Sequence, residues 1–279
     1  MSNFYIGLSL EKRTEMKLAL MPGETVPRSE LTELGFSAMQ MFWGHGPDGD
    51  KDDPTAEAID ALLEEGQIAL AAMTLHVDLV GPQGEIAGDV DRLIRCVEKT
   101  AALEGRFGEN ERPILVWHPS GYPEGEEVDD GAVFEGLCSG LARACARAQE
   151  LGVYIAVEIT RAGSVGSAET YLHVKDRVSS SALKVCIDAA NFVPDRTPLL
   201  RAVRAMASDI IIAHGKDSSF KENGEVADYG PTGSGYLDYP AYIAALRQYA
   251  PVPYFVLEYY RSREDLIAAR DIVRAAIEA

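Results

Sequence analysis

Cysteine and long apolar runs are both scarce in this 279-residue sequence. The four cysteines include no C-x-x-C pair, so neither a disulfide framework nor a thiolate zinc site is indicated. No apolar run reaches the roughly 18 residues of a membrane span, and the first residues lack a basic stretch followed by an apolar block. These absences predict a cytoplasmic protein rather than a membrane-spanning or secreted one.

Positive charge is also scarce relative to negative charge. Lysine and arginine together number 26 against 44 aspartates and glutamates, which gives a formal net charge of -18. This charge would repel a nucleic acid backbone or an anionic membrane at long range, so neither is expected as a partner. A Gly/Ser-rich linker is missing as well, and residues 1–279 are therefore predicted to form one domain.

Short apolar runs rich in β-branched residues are present throughout, and they alternate with amphipathic stretches. Two of the runs, 153–157 and 210–213, are apolar on both faces, as strands covered by helices on both sides must be. The eight predicted strands are Phe4–Leu10, Ser37–Trp43, Ala69–Val80, Ile114–His118, Val153–Ile159, Lys184–Asp188, Ile210–His214 and Tyr254–Tyr259.

The amphipathic stretches predict seven helices. In the last of them the apolar residues form one stripe at helical spacing, and Ser262 stands at the N-cap position. Residues 11–35 contain Pro22, Gly23 and Pro27, so a loop with at most short helices is expected there. The predicted helices are Ala56–Gln67, Val90–Glu104, Ala132–Leu151, Ser167–Val178, Leu199–Ala207, Tyr239–Tyr249 and Arg263–Ala279.

This alternation predicts an α/β fold, a single-domain (β/α)8 TIM barrel. A doubly wound open sheet is the rival architecture. It usually carries a G-x-G-x-x-G turn after its first strand, and Gly7-Leu8-Ser9-Leu10 does not match that pattern. In a barrel, the catalytic residues are expected at the carboxyl ends of the strands.

Ionisable residues end several of the predicted strands. Glu158 and Glu258 are each flanked by apolar residues, so their burial requires a cation or a hydrogen-bond network. Asp188 and His214 end the two predicted strands that lie between those of Glu158 and Glu258. Any one of these carboxylates could instead cap a strand or pair with an arginine. Together the four residues predict a metal site, and its oxygen-dominated donor set favours Mn²⁺ or Mg²⁺ while accommodating Co²⁺ or Zn²⁺.

These strand ends resemble those of the xylose isomerase-like barrels, a family of sugar isomerases, ketose 3-epimerases, inosose dehydratases and apurinic-site endonucleases. The matching elements are Ala-Val-Glu158, Cys-Ile-Asp188-Ala-Ala-Asn, His214-Gly-Lys216-Asp217, the loop 230–238 and Leu-Glu258. The resemblance implies that Glu158, Asp188, His214 and Glu258 bind one metal. It also implies that the two glutamates transfer protons on opposite faces of the substrate.

The resemblance has two limits. Many relatives carry a histidine three residues after the strand-six aspartate, where this chain has Asn191. An amide can orient a substrate hydroxyl but cannot donate a proton near neutral pH. The endonuclease branch needs further histidine and aspartate ligands for a zinc cluster, and the five histidines here do not supply them. Nuclease activity is therefore not expected.

Further residues are candidates for substrate binding. His76 and His118 match substrate-facing histidines of the family, although each could be a hydrogen-bonded core residue. Trp43 and Trp117 could form an apolar wall for a sugar ring or simply pack the barrel. Lys216 could hold a substrate oxyanion, shift the pKa of a ligand or form a structural ion pair. The glycine loop 230–235 could bind phosphate or cover the site.

The expected function is a divalent-metal-dependent isomerase or epimerase acting on a sugar, a sugar phosphate or a related polyol ketone. Proton transfer would pass through an enediolate that the metal stabilises. A lyase or dehydratase of the inosose-dehydratase type is the alternative on the same scaffold, and a non-catalytic carbohydrate-binding barrel is the alternative from another class. Relatives often form dimers or tetramers, so a homo-oligomer is a further expectation.

Overall fold

Eight parallel strands close into a barrel in the computed structural model of this chain. The structure describes residues 15–279 apart from 24, 111, 126, 193–197 and 224–225. Each strand pairs with the next one along the chain, and β8 pairs with β1 to close the ring. The (β/α)8 prediction is confirmed. The barrel strands are β1 (Lys17–Leu20), β2 (Phe36–Phe42), β3 (Ala69–His76), β4 (Ile114–His118), β5 (Tyr154–Glu158), β6 (Leu183–Asp188), β7 (Ile210–Phe220) and β8 (Tyr254–Leu257).

The seven predicted helices are all observed, with ends that differ from the prediction by less than about one turn. Ser262 is the N-cap of the last helix, because its Oγ accepts a hydrogen bond from the Asp265 N–H at 3.0 Å. Thr55, Asp129, Ser167 and Asp238 cap four others in the same way. The helices are α1 (Ala56–Gly66), α2 (Ala87–Ala101), α3 (Asp130–Leu151), α4 (Ala168–Val178), α5 (Leu199–Ala205), α6 (Tyr239–Tyr249) and α7 (Arg263–Glu278).

The loop predicted over residues 11–35 is wrong in its first part, because β1 lies there. Leu18, Ala19 and Leu20 are buried, and β1 pairs with both β2 and β8. Three apolar residues are too short a signal by themselves, and neighbouring strands supply the hydrogen bonds that make them a strand. The later part holds a short 3-10 turn, Arg28–Glu30, as expected. The predicted strand Phe4–Leu10 lies outside the described residues.

Strand β7 is longer than predicted, because it continues past His214 to Phe220. Its outer half pairs antiparallel with Val226–Pro231, which forms a ribbon above the barrel mouth. Residues 215–220 are mostly polar and lack the apolar pattern of a buried strand, so their strand conformation depends on that tertiary pairing.

The buried side chains form two layers. A large apolar cluster joins strands and helices on the outside of the barrel. A second cluster contains only strand residues, many of them small, such as Ala19, Ala38 and Ala156, and it therefore fills the interior. In the described part of the chain, no helix has the length and apolar character needed to cross a bilayer.

Candidate metal centre

Four side chains from neighbouring strand ends meet at the barrel mouth. Glu158 and Asp188 are the last residues of β5 and β6. His214 lies on β7 directly opposite Asp188 in the strand register. Glu258 follows β8, and its N–H donates to the Gly215 carbonyl at 3.1 Å. Because parallel strands end at the same rim, residues far apart in sequence reach one point.

The ligand-type atoms of these four residues lie within 4.8 Å of one another. His214 Nδ1 is 3.8 Å from Glu158 Oε2 and 3.6 Å from Glu258 Oε1. All four side chains are buried, and Glu258 is the most exposed at 7%. The convergence predicted from the sequence is therefore present.

Lys216, two residues after His214, is the buried cation of this cluster. Its Nζ contacts Asp188 Oδ2 and lies 3.2 Å from Glu258 Oε1. Burial acts to lower the pKa of Lys216, but Asp188 and Glu258 outweigh it and hold that pKa above its usual value. Lys216 is therefore an ammonium group, and it holds the pKa of Glu258 below its usual range against the opposing effect of burial.

The charges of the cluster do not balance among the protein groups. Glu158, Asp188 and Glu258 carry three negative charges when ionised, and Lys216 supplies one positive charge. Burial acts to lower the pKa of His214, but Cys186 and Glu158 hold it well above its usual value, so without an ion His214 adds a second positive charge and one negative charge remains in excess. As a metal ligand His214 must be neutral, and the excess is then two negative charges. Burial raises the pKa of Asp188, and the neighbouring Glu258 and Glu158 add to this rise while Lys216 opposes it. Despite their burial, Asp188 Oδ2 and Glu258 Oε1 make no well-aligned hydrogen bond within the described residues and face only the Lys216 ammonium and the His214 ring, and His214 Nδ1 makes no hydrogen bond there either. A divalent cation would supply the missing charge and bind these oxygens and this nitrogen, so the donor set fits such an ion.

Cys186 also lies beside His214, with its Sγ 3.2 Å from His214 Nε2. Burial raises the pKa of the Cys186 thiol to about 12, so the sulfur remains protonated near neutral pH. A thiol is a poorer ligand than the carboxylates nearby. The oxygen-dominated set is therefore the stronger candidate, although Glu158, Cys186 and His214 also lie close together.

Two cavities flank the cluster, and four of the six predicted substrate-binding residues line them. A cavity of about 430 Å³, the histidine cavity, is bordered by His76, His118 and Lys216. A cavity of about 530 Å³, the polar cavity, is bordered by His118, Asn191 and Lys216 together with Thr160 and Arg161. His118, Lys216 and Tyr259 border both cavities.

The imidazoles of His45, His76 and His118 form a stack along the histidine cavity. Their ring centroids are 4.5 Å and 4.2 Å apart, and the planes are nearly parallel. His118 Nε2 lies 3.9 Å from Glu158 Oε1. Burial, His118 and His45 lower the pKa of His76 to about 3, so His76 is neutral near neutral pH. Sequence reasoning missed His45 because it follows the end of β2 on a loop, without a strand-end pattern.

The two tryptophans lie behind the site rather than in it. Trp43 is 3% exposed and Trp117 is completely buried. The Trp43 indole N–H donates to Thr100 Oγ1, and that of Trp117 donates to the Val77 carbonyl. Neither borders the two cavities. These rings therefore pack the barrel, which was the second interpretation of their sequence pattern.

Tyr229 and Tyr259 form the aromatic wall that the tryptophans do not provide. Their ring centroids are 5.6 Å apart, and Lys216 Nζ lies 5.1 Å from each ring. Tyr259 adopts a positive φ of 58°, an uncommon conformation for a bulky residue and one often associated with functional sites. Arg261 ties Tyr229 to the end of β8 by donating to its carbonyl at 2.7 Å. The sequence held no signal for this pair, because the ribbon brings them together.

The glycine loop 230–235 surrounds a carboxylate of the chain itself. Asp217 is completely buried and accepts hydrogen bonds from the N–H groups of Ser218, Gly233 and Leu237. A side chain at Gly235 would collide with Asp217, so the loop needs glycine there. The Gly233 amide of this loop is therefore engaged with Asp217, and the loop is held beside the base of the ribbon.

Comparison with known proteins agrees with this fold. Among solved structures, similar ones include D-allulose 3-epimerase from Methylomonas sp. in complex with D-allulose (13% identity, 95% of both chains covered, TM-score 0.66). The probable 3-DHS dehydratase AsbF from Bacillus anthracis is another (16% identity, 94% of this chain and 98% of that chain, TM-score 0.66). An IOLI protein with a bound zinc atom is a third (17% identity, 94% and 96%, TM-score 0.67). No curated protein sequence matches the chain.

A family model gives the more specific assignment. The model of the xylose isomerase-like TIM barrel matches residues 29–279, which is most of the chain. The match includes all four residues of the candidate metal centre and the strands that carry them. The resemblance inferred from the strand-end motifs is thereby confirmed, and the chain belongs to the xylose isomerase-like TIM barrel family.

Proposed function

We propose that this protein is a divalent-metal-dependent isomerase or epimerase of a sugar, a sugar phosphate or a related polyol ketone. The observation that carries the proposal is the unbalanced charge of the buried cluster. With His214 neutral, as a ligand must be, three carboxylates stand against the one ammonium group of Lys216, which pairs with Asp188 and Glu258. A structural ion-pair network would be expected to neutralise its own charge, since an uncompensated buried carboxylate is strongly destabilising. A charge deficit that fits one divalent cation indicates a site built for an ion.

Glu158, Asp188, His214 and Glu258 would hold the metal, with Mn²⁺ or Mg²⁺ favoured by the three oxygen donors and Zn²⁺ or Co²⁺ accommodated. The bound ion supplies electrophilic catalysis, because it acidifies the hydrogen next to a ketone and stabilises enediolate charge. A solved relative with a bound zinc atom supports a divalent ion of this general kind.

Glu158 and Glu258 are the proposed proton-transfer residues. Glu158 ends β5 and Glu258 follows β8, and these strands are separated in the ring by β6 and β7, so the two glutamates would approach a substrate from different sides of the mouth. One carboxylate would remove the proton from the carbon next to the ketone, and the other would return a proton to the opposite face. Coordination lowers the basicity of a carboxylate but leaves its second oxygen able to accept a proton.

The remaining residues would orient the substrate. His76 and His118 would contact hydroxyl or carbonyl oxygens in the histidine cavity, and Asn191 would contact a hydroxyl in the polar cavity. Lys216 borders both cavities and is charged, so it would stabilise an oxyanion as it forms. The complex of one relative with D-allulose supports a ketose as the kind of substrate to test first.

A lyase or dehydratase is the second candidate, and the position of Lys216 is compatible with either reaction. An ammonium group 3.2 Å from Glu258 could stabilise a leaving hydroxyl group as well as an enediolate oxygen. One similar structure belongs to a probable dehydratase. Both reactions begin with the same proton removal, so the fate of the intermediate distinguishes them.

The deciding experiment removes the metal and then measures products. The protein would be dialysed against a chelator, reloaded separately with Mn²⁺, Mg²⁺, Co²⁺ or Zn²⁺, and assayed on ketoses, inososes and their phosphates. Isomerase or epimerase activity predicts products of unchanged mass that appear only after reloading. Loss of one water from the substrate would instead identify the dehydratase, and sugar binding without turnover under every metal would indicate a carbohydrate-binding barrel.

A further inference from the structure

Gln40, on β2, is joined to the metal cluster by a buried hydrogen bond. Its Oε1 lies 3.0 Å from His214 Nε2, and both side chains are completely buried. We propose that Gln40 is a positioning residue that fixes the proton of His214 on Nε2 and so directs the Nδ1 lone pair at the metal. The inference rests on the proposed metal site.

The Gln40 amide lies with its nitrogen toward Thr74 and its oxygen toward His214. Gln40 Nε2 donates to Thr74 Oγ1 at 2.8 Å, and Thr74 is also completely buried. The amide oxygen on the His214 side can only accept a hydrogen bond. His214 must donate from Nε2, which leaves Nδ1 as the nitrogen available to an ion.

The position of Nδ1 agrees with this assignment. It is buried, has no hydrogen-bond partner and faces Glu158 and Glu258 at 3.8 Å and 3.6 Å. Metal-bound histidines usually donate their second N–H to a fixed acceptor, which sets the tautomer and the ring orientation. The chain Thr74–Gln40–His214 supplies such an acceptor from strands β3 and β2, on the far side of the imidazole from the carboxylates.

Cys186 cannot replace Gln40 in this role. Its Sγ is 3.2 Å from the same Nε2, but a thiol can donate a hydrogen bond as well as accept one weakly. If Cys186 were the only partner, Nε2 could instead accept a hydrogen bond from the thiol. The imidazole proton would then sit on Nδ1, and this tautomer cannot bind a metal through Nδ1. Only the amide oxygen of Gln40 selects one tautomer.

The experiment compares Gln40→Met with Gln40→Glu. Methionine has a volume similar to that of glutamine but no strong hydrogen-bond acceptor. Glutamate keeps an oxygen acceptor at the same distance from the backbone. Mn²⁺ affinity of the metal-free proteins would be measured by calorimetry, and the protonated nitrogen of His214 by ¹⁵N NMR of the Zn²⁺-loaded proteins. We expect Gln40→Met to weaken Mn²⁺ binding by about 10–100-fold, as loss of an outer-shell partner does, and Gln40→Glu to retain most of the affinity.

Each outcome bears on a different claim. Equal Mn²⁺ affinity in the wild type and Gln40→Met would overturn the role of Gln40 while leaving the metal site intact. Failure of the wild type to bind any divalent ion would instead refute the proposed function itself. If Gln40→Met does not fold, the NMR measurement on the wild type decides: a proton on His214 Nε2 supports the inference, and a proton on Nδ1 overturns it.

Discussion

The charged cluster at the barrel mouth differs from a second charged cluster in how its carboxylate oxygens are satisfied. The second cluster, here the loop cluster, consists of Asp50, Asp53, Arg92, Arg95 and Lys99 and fixes the loop after β2 to α2. Both oxygens of each aspartate accept hydrogen bonds from its basic residues, with Gly44 N–H contributing one more. At the mouth, Asp188 Oδ2 and Glu258 Oε1 face the same Lys216 ammonium and accept no further hydrogen bond from the part of the chain that the structure describes.

The two clusters also differ in charge. Three basic residues face two carboxylates in the loop cluster, whereas Lys216 and His214 face three carboxylates at the mouth. A buried carboxylate without a compensating charge is destabilising. Among the described residues, the loop cluster has more positive than negative groups and the mouth has more negative than positive groups. The loop cluster also fixes the segment that carries His45, so it supports the site indirectly.

The largest effect is expected for the two glutamates at the mouth. Glu158→Gln and Glu258→Gln should each lower turnover by about 10²–10⁴-fold, because an amide cannot accept the transferred proton. Initial rates on the substrate found in the metal-loaded assay would measure this loss. Glu57→Gln, on the exposed face of α1, is the matched control and should leave the rate unchanged.

The same Glu158 variant tests the charge argument through stability. Removing one of three buried negative charges should raise the melting temperature of the metal-free protein, whereas loss of a structural network member would lower it. Full turnover in either glutamate variant would remove that residue from the mechanism. A lower melting temperature of metal-free Glu158→Gln would count against an ion site.

The next largest effect is expected for the histidine ligand. His214→Ala should weaken Mn²⁺ binding by more than the about 10–100-fold typical of an outer-shell change, because it removes a direct donor. His173→Ala changes an exposed histidine of α4 and should have no effect on calorimetric Mn²⁺ affinity. Equal losses in the two variants would contradict the assignment of His214.

The loop cluster should respond in the opposite way, with stability affected and metal affinity unchanged. Arg92 is completely buried, and Arg92→Met would leave Asp53 without its main partner. We expect the free energy of unfolding, measured by urea denaturation, to fall by about 3 kcal/mol. Arg95→Met, at an exposed position, should lower the free energy of unfolding by less than about 1 kcal/mol. A large loss of Mn²⁺ affinity in Arg92→Met would show that the two clusters are coupled.

The smallest effect concerns His76, a residue at the mouth that stays neutral. Its pKa is lowered to about 3 by burial and by His118 and His45, whereas an unfolded histidine titrates near 6.5. As the pH falls, the unfolded state therefore binds a proton on His76 before the folded state does. The contribution of neutral His76 to the free energy of unfolding is complete above about pH 6.5 and is lost as the pH falls toward 3. His76→Gln should show a shallower decline of unfolding free energy between about pH 6.5 and pH 4. A decline as steep as in the wild type would contradict the lowered pKa.

The local sequence predicted much of the fold and the four members of the cluster. The helices α1 to α7 follow from their apolar periodicity and caps, and Glu158 and Glu258 are conspicuous as charges within apolar runs. The prediction was wrong for β1, where three apolar residues gave too little signal. It missed Gln40, His45, Tyr229 and Tyr259, because a polar or aromatic residue carries no mark of the partner it will meet.

The sequence by itself determined the alternation of strands and helices and the chemistry at each strand end, because periodicity and residue type act over a few neighbouring residues. Only the tertiary structure decided which side chains meet. Closure of the barrel brings Asp188 opposite His214, puts Gln40 behind the imidazole and leaves three carboxylates around one lysine. Strand register and ring closure determine such contacts, and both depend on pairing between residues that are distant along the chain.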